Sequence, residues 1–179
     1  TFRPYGDPIV VTGGSYNFDV TDWCLEDSKA SMNEETGLWE VVSKDYVAQI
    51  SDTKFESLQE AFNAVKTDNT ITILKDLTDV ACYYNGTASF TLDLNGKTLT
   101  SSDHTHMFEF NWNQVAESTP VTINITNGTL ISGENTMWTI YSEDTNNVKG
   151  TFNLTNLTID HNMPNYGAVV AGIGNTFNA

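Results

Sequence analysis

The chain has 179 residues, with 8 Lys and Arg against 23 Asp and Glu, so its formal charge at neutral pH is −15. A surface this acidic repels nucleic-acid phosphates and anionic lipid, which excludes both as primary ligands and leaves cations, basic proteins and neutral sugars open. No apolar run approaches the roughly 18 to 20 residues of a membrane span, and Thr1-Phe2-Arg3-Pro4 does not read as a signal peptide.

Charged residues make up only 17% while Thr, Asn and Ser are abundant, a composition expected of a β-rich extracellular protein. Cys24 and Cys82 are too few for a disulfide framework and form no C-x-x-C spacing. They read as two buried free thiols, with one disulfide between them as the alternative.

Residues 1–45 read as a small α+β cap. Ile9-Val10-Val11 is a short apolar run ending at Gly13-Gly14, where a strand must stop or bend. Asp19 stands where a short helix carrying Val20, Trp23 and Cys24 on one face would start. Met32 and Leu38-Trp39 flank the turn Glu34-Glu35-Thr36-Gly37, predicting a hairpin into Val41-Val42.

Residues 46–67 read as a strand, Tyr46-Val47-Ala48-Gln49-Ile50, followed by the one amphipathic helix. Leu58, Ala61, Phe62 and Val65 fall at helical spacing, and both Thr53…Glu56 and Ser57…Glu60 have capping-box form.

Residues 68–179 repeat themselves. Leu92-Asp93-Leu94-Asn95-Gly96, Ile123-Asn124-Ile125-Thr126-Asn127-Gly128 and Phe152-Asn153-Leu154-Thr155-Asn156 align on an asparagine, at intervals of 32 (127 − 95) and 29 (156 − 127) residues. An earlier, shorter copy is Ile71-Thr72-Ile73-Leu74-Lys75-Asp76. Apolar residues alternate with polar ones before each asparagine, so one face is buried and the other wet. A second strand starts 13 residues after each asparagine, at Phe108 (108 − 95), Ile140 (140 − 127) and Val169 (169 − 156). This regularity predicts a mainly β fold: a right-handed parallel β-helix, or solenoid, of about four turns. Asn95, Asn127 and Asn156 would form a structural ladder of stacked amides in it. A twisted β-sandwich is the competing architecture.

The run from Tyr46 to Leu99, YVAQISDTKFESLQEAFNAVKTDNTITILKD…FTLDLNGKTL, resembles a module of large repetitive surface proteins from anaerobic, mostly gut-dwelling Gram-positive bacteria. Val11-Thr12-Gly13-Gly14-Ser15-Tyr16 and Val20-Thr21-Asp22-Trp23-Cys24 are similar to the segment that closes one such module before the next, although Trp23 and Trp39 depart from that pattern. The resemblance implies a right-handed parallel β-helix behind a short strand and helix, a location at the bacterial surface or in secretion, and continuation beyond residue 179. It names no ligand.

An enzyme has to be weighed against a binding role. An uronate lyase needs cations to neutralise the sugar carboxylate, and residues 68–179 contain only Lys75, Lys97 and Lys149. A glycoside hydrolase needs two carboxyl groups about 5 to 10 Å apart, and Asp93, Glu109, Glu143, Asp144 and Asp160 are available with no pair singled out. Asp103, His104 and His106 are the candidate metal ligands, since histidines two apart on a strand point the same way; a polar corner loop is the plainer reading. Glu143-Asp144-Thr145-Asn146-Asn147 offers oxygens for Ca²⁺ without a motif's fixed spacing, so no cofactor is expected beyond that option. The sequons at Asn85, Asn124, Asn127, Asn153 and Asn156 follow from a composition rich in Asn and Thr.

Trp112, Trp138, Tyr141 and Tyr166 are the candidate binding residues, because ring faces in irregular corners stack on sugars or anchor a protein; core packing is the alternative. The expected function is a non-catalytic cell-surface module for adhesion to a host protein, an immunoglobulin or mucin glycan, or a stiff display stalk. A carbohydrate-active enzyme fragment is the runner-up.

Overall fold

The computed structural model describes residues 9–112, 120–142, 149–171 and 175–179. The chain divides into two compact units, residues 1–45 and 46–179.

In the first unit β1 (Ser15–Tyr16), β2 (Ser28–Asn33) and β3 (Leu38–Ser43) form an antiparallel sheet in the order β1-β3-β2. The predicted hairpin is present. The Asn33 side chain accepts the Glu35 and Thr36 N–H groups, and Gly37 takes φ +68, where other residues are strained. Where a short helix was expected there is a 3₁₀ turn, Thr21–Trp23, and Asp19 accepts the Thr21 N–H. The Thr21 hydroxyl and N–H on this carboxyl hold Asp19 below its ordinary range. Ile9-Val10-Val11 forms no strand; Val11 makes a parallel bridge with Cys24. Val11, Val20 and Ala30 are the buried core of this unit.

The second unit begins with β4 (Ala48–Ile50), β5 (Thr53–Phe55) and α1 (Leu58–Ala64). The helix starts at Ser57 rather than Thr53, because Thr53 is taken into β5, which folds back on β4. Leu58, Ala61 and Phe62 are its buried face, with the Phe62 ring 5.7 Å from Phe90 and 5.9 Å from Phe108. The strands that follow are β6 (Asn69–Ile73), β7 (Cys82–Tyr84), β8 (Phe90–Asp93), β9 (Thr98–Ser101) and β10 (His106–Phe110). After them come β11 (Val121–Ser132), β12 (Trp138–Ser142), β13 (Gly150–His161), β14 (Val169–Ala171) and β15 (Thr176–Asn178). No helix among the described residues is long and apolar enough to cross a membrane.

This architecture corrects the expected right-handed parallel β-helix. The described strands form three sheets of different kinds. The first unit's sheet is antiparallel, and β14-β12-β10-β7 is parallel. The third, with eight strands, is mixed: β4 runs antiparallel to both β5 and β6. β4, from the segment expected to precede the repeat, thus belongs to the same sheet as β6, β8, β11, β13 and β15. Alternation of apolar residues marks a strand and its buried face, but it carries no information on strand direction. The statement that stands is the coarser one: a mainly β chain with one α-helix.

Within the parallel parts the apolar residues line up in columns. Phe90, Ile123, Phe152 and Phe177 are successive partners, as are Leu99, Leu130 and Ile159. Trp112 is fully buried between Phe110 and Phe152, and its indole N–H donates to the Gly86 carbonyl at 2.8 Å.

The three aligned asparagines all adopt left-handed backbone, with φ of 52, 60 and 51, a region asparagine tolerates far better than a β-branched residue. Asn156 Nδ2 donates to Asn127 Oδ1 at 3.1 Å, but Asn127 Nδ2 reaches Asp93 Oδ1 and Asn95 Nδ2 reaches the Ile73 carbonyl. The ladder therefore stops short of Asn95. Residues 94–97 form a longer corner opposite only 127 and 128, which displaces Asn95 and leaves Asp93 in its place. A second ladder, not anticipated from the sequence, runs from Asn178 to Asn153 to Asn124 to Thr91, with links of 2.7, 2.8 and 3.2 Å.

Candidate functional site

The candidate site lies on the outer face of the four-stranded parallel sheet, and a backbone irregularity creates it. In β10 the order is half-buried His106, buried Met107 and Phe108, then half-buried Glu109; in β12 it is Trp138, Thr139, Ile140 and Tyr141 with the same burial. Two consecutive inward residues break the alternation in both strands, and the register passes from His106↔Trp138 directly to Phe108↔Ile140. The Thr139 and Ile140 N–H groups both donate to the Ala168 carbonyl at 3.0 Å, the signature of a bulge. Strict alternation outward from Glu109 and Tyr141 would place 106 and 138 inside. The extra residue turns them out.

The result is a cluster of rings. His106 stacks on Tyr141, with centroids 4.2 Å apart and planes 13° apart, and lies 5.3 Å from Trp138. Trp138 is 5.2 Å from Tyr141 and meets Tyr166 edge to face, also at 5.2 Å. Tyr166 is 38% exposed. Glu109 joins the cluster through Oε2, 3.0 Å from His106 Nδ1, while Oε1 accepts from Asn111 Nδ2 at 3.3 Å. Tyr83 on β7, 40% exposed, is the register partner of Glu109 on the side opposite Tyr141. The Gln59 side chain of α1 bonds both the N–H and the carbonyl of Tyr83 at 2.8 Å, closing the sheet edge much as a further strand would.

Of the four aromatic residues singled out from the sequence, Trp138, Tyr141 and Tyr166 come together here. Trp112 does not; it is a core residue with no exposed surface. Tyr83 and the place of Glu109 among the rings were not anticipated. The alternation Cys82-Tyr83-Tyr84 does put Tyr83 on the wet face, but only the register shows which strands flank it.

The proposed metal ligands are drawn to separate partners. His104 Nε2 lies 2.9 Å from Asp79 Oδ1, whereas His106 is held by Glu109. Asp103 belongs to neither pair, and among the described residues no group of three His, Cys, Asp or Glu side chains is placed to hold a metal ion. The oxygen-rich loop 143–147, including Glu143 and Asp144, lies outside the described residues, as does Thr1-Phe2-Arg3-Pro4. Cys24 and Cys82 are free thiols, Cys24 half-buried and Cys82 buried. Four of the sequon asparagines, Asn124, Asn127, Asn153 and Asn156, have their amides committed to the ladders.

Beneath the bulge the hydroxyls of Ser132 and Thr139 bond one another, and Thr139 Oγ1 lies 3.2 Å from His161 Nδ1. This chain of groups has Ser132 and Thr139 fully buried and His161 half-buried. It satisfies a hydroxyl that the bulge turns inward.

Compared with protein-family models, curated proteins and solved structures, the chain matches none.

Proposed function

We propose that this chain is a non-catalytic binding module, displayed outside the cell, whose contact surface is the ring cluster on the four-stranded sheet. The observation that carries this reading is the paired bulge, which turns His106 and Trp138 outward onto the same face as Glu109 and Tyr141. Partly exposed rings held by their neighbours lose little conformational entropy on binding, which is why tyrosine and tryptophan serve sugars and proteins alike. The composition, with few charged residues and rich in Asn and Thr, supports an extracellular setting. A host protein, an immunoglobulin or a mucin glycan fits such a surface, and a bacterial surface protein is the proposed parent.

A glycoside hydrolase is the second reading, kept because Glu109 sits among the rings. Its two oxygens are engaged by His106 and Asn111, and its register neighbours on both sides are tyrosines rather than a second carboxyl. These features favour a positioned acceptor over an acid-base pair.

The test compares the chain with its Trp138→Ala variant on an array of neutral and acidic glycans and on purified immunoglobulin and mucin, with product release monitored in parallel. Binding that the variant loses, without turnover, supports the module. Release of reducing sugar that Glu109→Gln abolishes would establish the hydrolase instead.

A further inference from the structure

We infer that the ligand of this surface is a neutral, β-1,4-linked hexose chain lying across the strands, with Tyr83, Glu109 and Tyr141 as consecutive contact points. This rests on the binding reading above and names its ligand.

The three residues are register partners on adjacent parallel strands. Neighbouring strands lie about 4.8 Å apart, so Tyr83 and Tyr141 are separated by about 10 Å across the sheet. One hexose of an extended β-1,4 chain is close to one strand spacing in length, so each strand meets one sugar. Pyranoses with equatorial substituents present C–H faces that pack on tyrosine rings, and their hydroxyl edges donate to a carboxylate. Glu109 is pre-positioned for that by His106 and Asn111, and each of its oxygens retains a second acceptor position. His106 braces Tyr141, and Gln59 fixes the Tyr83 backbone at the sheet edge.

Charge decides among glycans. β7, β10 and β12 contain no lysine or arginine, and the chain carries −15 overall, so uronates, sialylated and sulfated sugars are repelled. Repetition decides between a glycan and a protein: ring, carboxylate and ring at a constant spacing, with no aliphatic anchor between them, suit a partner that itself repeats.

The experiment titrates the 179-residue chain calorimetrically with β-1,4-linked N-acetylglucosamine oligomers from dimer to hexamer and with cello-oligosaccharides, using maltohexaose as the α-linked control. Affinity is expected to rise about tenfold between dimer and trimer and then level off. Tyr83→Ala should remove that gain and weaken the trimer more than the dimer, because Tyr83 is an outer contact with an exposed side chain and a dimer still reaches Glu109 and Tyr141. Glu109→Gln should weaken every length by about three- to tenfold. Equal affinity for all lengths, equal binding of maltohexaose, or a Tyr83→Ala variant identical to the parent overturns the inference. Binding of immunoglobulin or mucin that Trp138→Ala abolishes, with no response to any oligomer, overturns this ligand and leaves the binding reading standing. No binding to any of these probes overturns both.

Discussion

His106 lies flat against Tyr141, its ring centroid 4.2 Å away, while its Nδ1 is 3.0 Å from Glu109. One side chain thus braces a ring and orients a carboxylate, and the two roles separate by mutation. A double-mutant cycle of His106→Ala and Glu109→Gln should show a coupling of about 0.5 to 1.5 kcal/mol in urea unfolding. His106→Phe should keep the ring contact and lose only this coupling. No measurable coupling would mean that the Glu109 contact does not persist in solution.

Trp112 and Trp138 separate packing from recognition. Trp112 is fully buried, so Trp112→Ala should cost about 3 to 5 kcal/mol in chemical denaturation. Trp138, half-buried at the surface, should cost well under that figure as Trp138→Ala and act mainly on ligand binding. Equal losses of stability would contradict the placement of the two indoles.

The glycines that follow two aligned asparagines differ in what they require. A Cβ at Gly128 would lie 2.5 Å from Leu94 Cβ and 2.6 Å from the Lys97 carbonyl, so Gly128→Ala should destabilise by about 1 to 3 kcal/mol through overpacking. Gly96 has open space but φ +73, and Gly96→Ala should cost about 1 to 2 kcal/mol through backbone strain alone. Larger side chains should worsen the first variant steadily and the second hardly at all. Thermal melts of Ala and Leu variants, neither of them branched at Cβ, give the comparison at each position.

Asn153 is the middle rung of the longer ladder. Asn153→Ala leaves Asn178 without its acceptor and Asn124 without its donor, and should cost about 1 to 2 kcal/mol. Asn95→Ala should lose the Ile73 carbonyl contact and the tolerance for φ 52 without disturbing either ladder. Hydrogen exchange across β13 and β15 should therefore rise in the first variant and stay unchanged in the second.

Burial pushes the Cys82 thiol from 9.0 up to about 12. A value higher in the folded than in the unfolded chain means that this contribution to stability is complete below about pH 9 and is lost as pH rises through about 12. Burial raises Tyr84 in the same direction, opposed by the Ala88 N–H that donates to its oxygen. The urea midpoint should fall between pH 9 and about 11, and Cys82→Ala should make that fall shallower. An identical alkaline slope in parent and variant would remove Cys82 from the account.

Alternation and spacing in the sequence were sufficient to locate most strands of the repeat, the hairpin at 34–37 and the buried face of α1, because these patterns report local geometry and burial. The asparagine intervals likewise placed Asn127 and Asn156 in register. They misplaced Asn95 because a corner two residues longer shifts every later pairing, and no local signal marks that.

Net charge, the absence of a long apolar run and the wet and dry faces of the regularly alternating strands were all set by the sequence alone. Tertiary structure decided the rest: which strands run antiparallel, that Trp112 is core, and that His106 pairs with Glu109 rather than with Asp103. The outward turn of His106 and Trp138 depends on a bulge shared by two strands far apart in sequence. A one-residue change of phase reverses the face of every side chain beyond it, and only the pairing of β10 with β12 and of β12 with β14 shows where that change falls.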